Sequence, residues 1–194
     1  MTIGSLPIFE SDQHSATVND QFSRQASDFA AAPELHNDAV LALLVEAARP
    51  QSTDRMIDVA CGPGTVVAAL SPHVRHAVGL DATTAMLTEA KALGQAKGLQ
   101  NAEWLIGNAY DLPYPAATFD IVVCRFAFHH LENPRAAFAE MARVASPGAR
   151  IVLCDAVASD DPMKASVSAI SIFDGPSAEV FEGQSPVYQA NGLS

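Results

Sequence analysis

Short apolar runs of strand length alternate with helical patterns through the middle of the chain. Five strand-like runs lie between Arg55 and Asp155, with the sequences RMIDVA, HAVGLD, AEWLIG, DIVVC and ARIVLCD. The segments GTVVAAL, TAMLTEAKALGQAKG and PRAAFAEMARVA separate them and carry apolar residues at helical spacing. Strands that are apolar through their middles are typical of a sheet covered on both faces. The order predicts a doubly wound, Rossmann-like α/β fold with a mostly parallel sheet.

The two ends of the chain lack this alternation. Residues 1–20 are polar and without a pattern, which predicts a flexible N-terminal arm. The ligand-binding domain is expected over 21–160. Residues 161–194 are rich in Gly, Pro, Ser and Gln, and predict an irregular tail with one helix near 162–173.

Charge and composition narrow the function classes. The chain has 22 acidic and 11 basic residues, a formal net charge of −11 at pH 7, and such a surface repels nucleic acid. No apolar run approaches the ~20 residues that cross a bilayer, and no signal peptide is recognised, so a cytoplasmic protein without membrane insertion is expected. Cys61, Cys124 and Cys154 are far apart beside apolar runs, which predicts buried thiols and no metal site.

A glycine loop, DVACGPGT, begins at Asp58 on the first strand. Gly62 and Gly64 permit backbone conformations and a close ligand approach that a Cβ would block. Asp81 ends the second strand about 20 residues later, where a carboxylate can accept both hydroxyls of a ribose. In a doubly wound sheet, ligands bind at the carboxyl ends of the strands. Loop and acid together predict a nucleoside site.

The loop sequence also limits which nucleoside can bind. Gly64 is followed by Thr-Val-Val, so the dinucleotide fingerprint lacks its third glycine, and no Gly-Lys-Ser/Thr phosphate loop is present. Asp58 lies beside the loop and suits a ligand with an ammonium or sulfonium better than a pyrophosphate. A nicotinamide dehydrogenase is therefore disfavoured, also because no Tyr-x-x-x-Lys pair is found.

These motifs resemble class I S-adenosylmethionine-dependent methyltransferases of the small-molecule branch. IDVACGPGTVVAAL is similar to their first motif, VGLDATTAML to their second-strand motif, and the stretch from GNAYDLPYP to ARIVLCD to their third- to fifth-strand region. The tail is loosely similar to quinone-biosynthesis C-methyltransferases. The resemblance implies S-adenosyl-L-methionine as cofactor, S-adenosyl-L-homocysteine as product, and in-line O-, C- or N-methylation of a small acceptor.

The resemblance assigns cofactor contacts to eleven positions. They are Asp58, Ala60, Gly62, Gly64, Asp81, Ala82, Met86, Asn108, Ala109, Cys124 and Gln25. Asp81 would hold the ribose hydroxyls and Met86 would cover the adenine, whose edge would meet Asn108 where the family commonly has Asp. Cys124 and Arg125 would line the methyl-transfer end through backbone atoms.

The acceptor is expected beside FAFHHLENP, just past the fourth strand. His129 and His130 in this stretch are candidate catalytic bases, since a neutral imidazole can take a proton from a hydroxyl or an activated carbon. The other interpretation is that one packs beneath the loop and one faces solvent. CRFAF replaces the Asn/Asp-Pro-Pro-Tyr/Phe motif of base- and amide-methylating enzymes, which argues against nucleic acid as acceptor.

The family pattern breaks after Asp155. Class I enzymes usually finish with a sixth and a seventh strand, the latter antiparallel, and the tail predicts these strands to be missing or degenerate. A free edge on the fifth strand could then pair two copies as a homodimer. The alternative function is a non-catalytic, cofactor-binding or interaction remnant of such an enzyme.

Overall fold

The computed structural model describes residues 26, 38–157, 167–174 and 187–189. Ala26 is helical and buried. The predicted arm over 1–20, and Gln25, lie outside the described residues. Within the described part of the chain, no helix combines the length and the apolar character needed to cross a membrane.

Four helices and seven strands follow one another along these residues. The helices are α1 (Asp38–Ala48), α2 (Thr65–Leu70), α3 (Thr84–Ala96) and α4 (Pro134–Val144). The strands are β1 (Arg55–Val59), β2 (His76–Asp81), β3 (Ala102–Ile106), β4 (Phe119–Arg125), β5 (Ala145–Val157), β6 (Val167–Asp174) and β7 (Val187–Gln189). The five predicted strands and the helices between them are confirmed.

All seven strands form one sheet in the order β3-β2-β1-β4-β5-β6-β7. The first five are parallel to one another, which confirms the predicted Rossmann-like fold. The strand order reverses between β1 and β4, so the loops that leave these strands diverge and open a crevice between them. The crevice lies at the carboxyl ends of β1, β2 and β4, where Asp58, Asp81 and Arg125 are found.

The prediction that the final antiparallel strands are missing or degenerate is wrong. β6 pairs antiparallel with β5 from Arg150↔Asp174 to Val157↔Val167, and β7 pairs antiparallel with β6. The predicted helix near 162–173 is likewise wrong over 167–173. Ile170 and Phe173 are buried on opposite faces of the sheet. The segment is a strand because it pairs with β5, and the spacing of its apolar residues in the sequence does not reveal that pairing. Where β6 pairs with β5, the edge of β5 is occupied and a second copy of the chain cannot pair there.

Apolar side chains cover both faces of the sheet. On one face, α1, α2 and α3 contribute Leu44, Val67 and Leu87 to a common cluster. On the other face, α4 packs Phe138 against Phe173 of β6, with ring centroids 5.0 Å apart. Burial on both faces explains why the strands are apolar throughout rather than alternating.

The single tryptophan of the chain packs against three glycines on its side of the sheet. A Cβ added to Gly64, Gly79 or Gly94 would lie 2.6, 2.7 or 3.1 Å from indole carbons of Trp104. Gly79 is on β2 and Gly94 on α3, while Gly64 ends the glycine loop. The indole thus fixes the helix and the loop against the sheet at once.

Gly79→Ala should lower the free energy of unfolding by about 1–3 kcal/mol, because the new methyl group would lie 2.7 Å from two indole carbons and 2.9 Å from the Cys61 Sγ. Trp104→Leu in the same chain should remove much of that cost, since the smaller side chain leaves room. Urea unfolding of the wild type, both single variants and the double variant measures the coupling. An equal cost of Gly79→Ala in both backgrounds would contradict this packing.

Two residues with side chains adopt left-handed backbone conformations at the crevice. Ala60, directly after β1, has φ 59°, and Phe126, directly after β4, has φ 54°. Such a conformation costs an L-residue about 1–2 kcal/mol. The backbone strain therefore lies at the ends of the two central strands, as is common at functional sites.

Ala60→Gly should raise the free energy of unfolding by up to about 1 kcal/mol, because glycine accepts φ 59° without steric cost. The matched control is Ala68→Gly inside α2, which should lower it by about 1 kcal/mol. Guanidinium unfolding midpoints of both variants give the comparison. A loss of stability in Ala60→Gly as large as in Ala68→Gly would disprove the strain.

Candidate active site

A cavity opens at the crevice and gathers most of the predicted site residues. Its walls come from the ends of β1, β2 and β4 and from the loop after β3. The predicted residues that line it are Asp58, Ala60, Gly62, Asp81, Ala82, Met86, Asn108, Ala109 and His130. Residues between Asp58 and His130 in the sequence thus line one cavity, as expected if ligands bind at the carboxyl ends of the strands.

Three predicted residues lie outside the cavity wall. Gly64 packs on Trp104, and Cys124 is buried in the apolar core, where burial raises the pKa of its thiol. His129 contacts the ring of His130, which lines the cavity, but does not line the cavity itself. Their contact with a bound cofactor stays a prediction, as does that of Gln25, which is outside the described residues. The glycine pattern alone could not separate packing against an indole from approach to a ligand.

Asp81 connects β2 to the glycine loop and to the start of α3. Its Oδ2 accepts from the Gly62 amide N–H at 2.8 Å, and its Oδ1 accepts from the Thr83 N–H at 2.8 Å. Burial raises the pKa of Asp81, and these two N–H bonds oppose the rise. Each carboxylate oxygen retains acceptor capacity, and the side chain lines the cavity. A pair of ligand hydroxyls can be bound there.

The glycine loop is held in a tight turn. Gly62 has φ 52°, which favours glycine, and the Gly64 N–H donates to the Cys61 carbonyl at 3.0 Å. The Cys61 N–H donates to the Leu80 carbonyl at 3.0 Å, so the loop is also bonded to the end of β2. The prediction that Gly62 permits a special backbone conformation at the cavity is confirmed.

Asp58 is a buried carboxylate that faces this cavity. Neither of its oxygens has a hydrogen-bond partner among the described residues, and the residue is 1% exposed. Burial raises the pKa of Asp58 well above its usual range, and the Arg125 charge opposes that rise. A buried polar group without a partner is costly unless a ligand supplies one. The residues present therefore fit a cationic group, such as the ammonium or sulfonium of S-adenosylmethionine.

Arg125 brings a cationic side chain to the same cavity, where only its backbone was expected. Its Nη1 donates to the Thr65 Oγ1 at 3.2 Å, and its guanidinium carbon lies 4.5 Å from the centre of the Phe126 ring. Burial lowers the pKa of Arg125, which the nearby Cys154 and Asp58 oppose. The signal that could have revealed this side chain is one arginine at the end of the apolar run DIVVC.

Asn108 forms a turn at the far side of the cavity. Its Oδ1 accepts from the Tyr110 N–H at 2.9 Å, and its own carbonyl accepts from the Asp111 N–H at 3.2 Å. Met86 and Ala109 are buried beside it. The Oδ1 of Asn108, the residue that the resemblance places at the adenine edge, thus already accepts one backbone bond and retains a second lone pair.

The two candidate bases lie in one turn of 3₁₀ helix, Phe128–His130. Only His130 lines the cavity, and the two imidazole rings are 3.9 Å apart. His129 is paired with Asp155, 2.5 Å from its Nδ1 to Oδ1. Sequence reasoning missed Asp155 because the pair is 26 residues apart and forms only once β4 and β5 lie side by side.

Comparisons with known proteins agree with this geometry. A family model described as a methyltransferase domain matches residues 57–153, half of the chain. The uncharacterized methyltransferase YcgJ of Bacillus subtilis is 37% identical over 123 residues, 63% of this chain and 49% of that protein. Its crystal structure has a TM-score of 0.61 at 36% identity, covering 66% of this chain and 54% of that one.

Two further similar proteins, one in sequence and one in fold, have named substrates or ligands. A demethylmenaquinone methyltransferase of Clavibacter sepedonicus is 34% identical over 109 residues, 56% of this chain and 44% of that protein. The geranyl diphosphate C-methyltransferase of Streptomyces coelicolor A3(2), solved with Mg²⁺, geranyl diphosphate and S-adenosyl-L-homocysteine, shares the fold. Its TM-score is 0.56 at 17% identity, covering 61% of this chain and 45% of that one.

The chain spans about half the length of the curated relatives it matches. The matched residues 57–153 run from within β1 to within β5 and include the glycine loop, Asp81 and the loop after β4. The family match, the strand order and the site at the strand ends lead to the same assignment. The chain belongs to the methyltransferase-domain family, within the class I S-adenosylmethionine-dependent methyltransferases.

Proposed function

We propose that this chain binds S-adenosyl-L-methionine and transfers its methyl group to a small-molecule acceptor by in-line displacement. The observation that carries the proposal is the buried Asp58 carboxylate, which faces the cavity without a hydrogen-bond partner among the described residues. A cationic sulfonium amino acid would supply the missing partner and favour the ionised form of Asp58, whereas a pyrophosphate would bring a negative charge that disfavours that form.

The chain would hold the two ends of the cofactor with different chemistry. Asp81 accepts hydroxyl protons with the lone pairs that Gly62 and Thr83 leave unused. Met86 and Ala109 offer an apolar surface to the adenine. When bound, S-adenosylmethionine supplies a methyl group on a positively charged sulfur, a good leaving group. The protein then has to exclude water and align the acceptor.

A small, largely apolar acceptor is proposed for the part of the cavity beside the turn after β4. Phe126, Ala127 and Leu131 give that part an apolar lining. The 34% identity to a demethylmenaquinone methyltransferase supports a quinol-like acceptor class. The net charge of −11 argues against nucleic acid. Three buried free thiols are consistent with the reducing cytoplasm that we propose as the location.

The non-catalytic alternative loses its basis in the structure. It rested on the absence of antiparallel strands beside β5, and β6 pairs there along eight residues. We therefore propose an active transferase. A homodimer remains a proposal without support from the β5 edge.

Asp81→Asn should weaken binding of S-adenosyl-L-homocysteine by about 10- to 100-fold in isothermal calorimetry. An amide has one acceptor oxygen where the carboxylate uses two, so it cannot serve both Gly62 and Thr83 and the ribose. The matched control is Asp120→Asn at the opposite end of the sheet, where the side chain accepts from the Arg55 N–H. That control should bind as the wild type does. Thermal melting of all three proteins verifies folding.

Methyl transfer is tested with isotopically labelled S-adenosylmethionine and a panel of quinols, phenols and amines. We expect label in at least one acceptor with the wild type and with Asp120→Asn, and much less with Asp81→Asn. Failure of the wild type to bind either S-adenosyl ligand would refute the proposal. Binding without transfer to any acceptor would favour the non-catalytic alternative instead.

A further inference from the structure

We propose that His130 is the base that removes the acceptor's proton, that His129 and Asp155 position it, and that the acceptor is a weak acid such as a phenol or quinol. The inference rests on the proposed methyl transfer and deepens it by naming the group that takes the acceptor's proton and the pair that positions that group. It assigns different roles to two adjacent histidines that the sequence alone does not distinguish.

The turn after β4 separates the two histidines. β4 ends at Arg125, and the 3₁₀ helix Phe128–His130 directs His130 into the cavity wall. The His129 ring lies behind it with a centroid separation of 3.9 Å and an interplanar angle of 45°. Of the two histidines, therefore, only His130 can meet an acceptor inside the cavity; its side chain is partly exposed to solvent and also contacts the His129 ring.

Asp155 fixes that neighbour from the adjacent strand. Its Oδ2 accepts from the His129 backbone N–H at 2.9 Å, and its Oδ1 lies 2.5 Å from the His129 Nδ1. Register explains the contact, because Arg125 of β4 pairs with Cys154 of β5, next to Asp155. Two bonds from one carboxylate hold both the turn and the ring, and they place the His129 proton on Nδ1.

The surroundings keep His130 in the form that can accept a proton. Burial and the adjacent His129 lower the pKa of His130, while Asp155 opposes that change. The other charged or titratable groups that line the cavity with His130 are Asp58, Cys61, Asp81, Tyr110, Arg125 and Glu132. A neutral imidazole at neutral pH is the state that general-base catalysis requires.

This arrangement suits an acceptor that must lose a proton in order to attack. The acceptor X–H transfers its proton to a ring nitrogen of His130, and the electron pair left on X forms the bond to the methyl carbon. The carbon–sulfur bond breaks with its pair remaining on sulfur, which becomes a neutral thioether. A neutral amine already has its lone pair and gains little from such a base. Phe126 and Leu131 in the lining favour an aromatic acceptor.

The test uses 4-nitrophenol as a chromogenic probe, because its phenolate absorbs visible light and its phenol does not. With S-adenosyl-L-homocysteine bound, wild type should bind the probe as phenolate below the pH at which the free probe ionises. His130→Gln should bind it as neutral phenol, whereas the control His73→Gln, an exposed histidine of the 3₁₀ turn Ser71–His73, should match the wild type.

Asp155→Asn should move the ionisation of the bound probe toward that of free 4-nitrophenol, and Asp155→Glu should restore part of it. Histidine NMR titration of the wild type and of Asp155→Asn should show that the substitution changes the pKa of His130. Ionisation that is unchanged in His130→Gln, or a probe that does not bind the wild-type complex, would overturn the inference. Normal binding of S-adenosyl-L-homocysteine in that case would leave the proposed function standing, while its absence would remove both.

Discussion

The Asp81 carboxylate holds in place the two segments on which the cavity depends. Through Gly62 it fixes the loop after β1, and through Thr83 it fixes the entrance to α3. Trp104 supports the same loop from behind by filling the space at Gly64. The loop is thus confined between a charged group at the cavity and an indole in the core. A loop that is held in one conformation before a ligand arrives lowers the ordering cost of binding.

Charge is distributed in the cavity in a way that stability alone would not favour. Asp58 remains buried without a hydrogen-bond partner among the described residues, and Arg125 is buried nearby with its guanidinium over Phe126. The left-handed backbone of Ala60 and Phe126 lies at the same two strand ends. Unfavourable electrostatics and backbone strain at one place are expected where a site is shaped for a ligand.

Much of the fold and of the cavity lining could be predicted because both depend on local signals. The apolar runs in the sequence predict β1 to β5, and the positions where the first two runs end predict Asp58 and Asp81 as site residues. The strand β6 could not be predicted, since VSAISIFD is short and owes its conformation to eight residues of β5. The packing role of Gly64 depends on Trp104, 40 residues later in the sequence, and the pairing of His129 depends on the register of β5. Contacts between distant segments carry no pattern in one sequence.

We propose that the loop between Asp58 and Gly64, together with Asp81, holds an S-adenosyl ligand. Backbone amide NMR spectra of the intact chain, titrated with S-adenosyl-L-homocysteine and separately with NAD⁺, test it directly. The structure predicts that the Gly62, Thr83 and Asn108 amide signals shift on adding S-adenosyl-L-homocysteine, while amides at the β6 end of the sheet do not. Equal shifts with NAD⁺, or no shift at Gly62 and Thr83 with saturating S-adenosyl-L-homocysteine, would contradict the account.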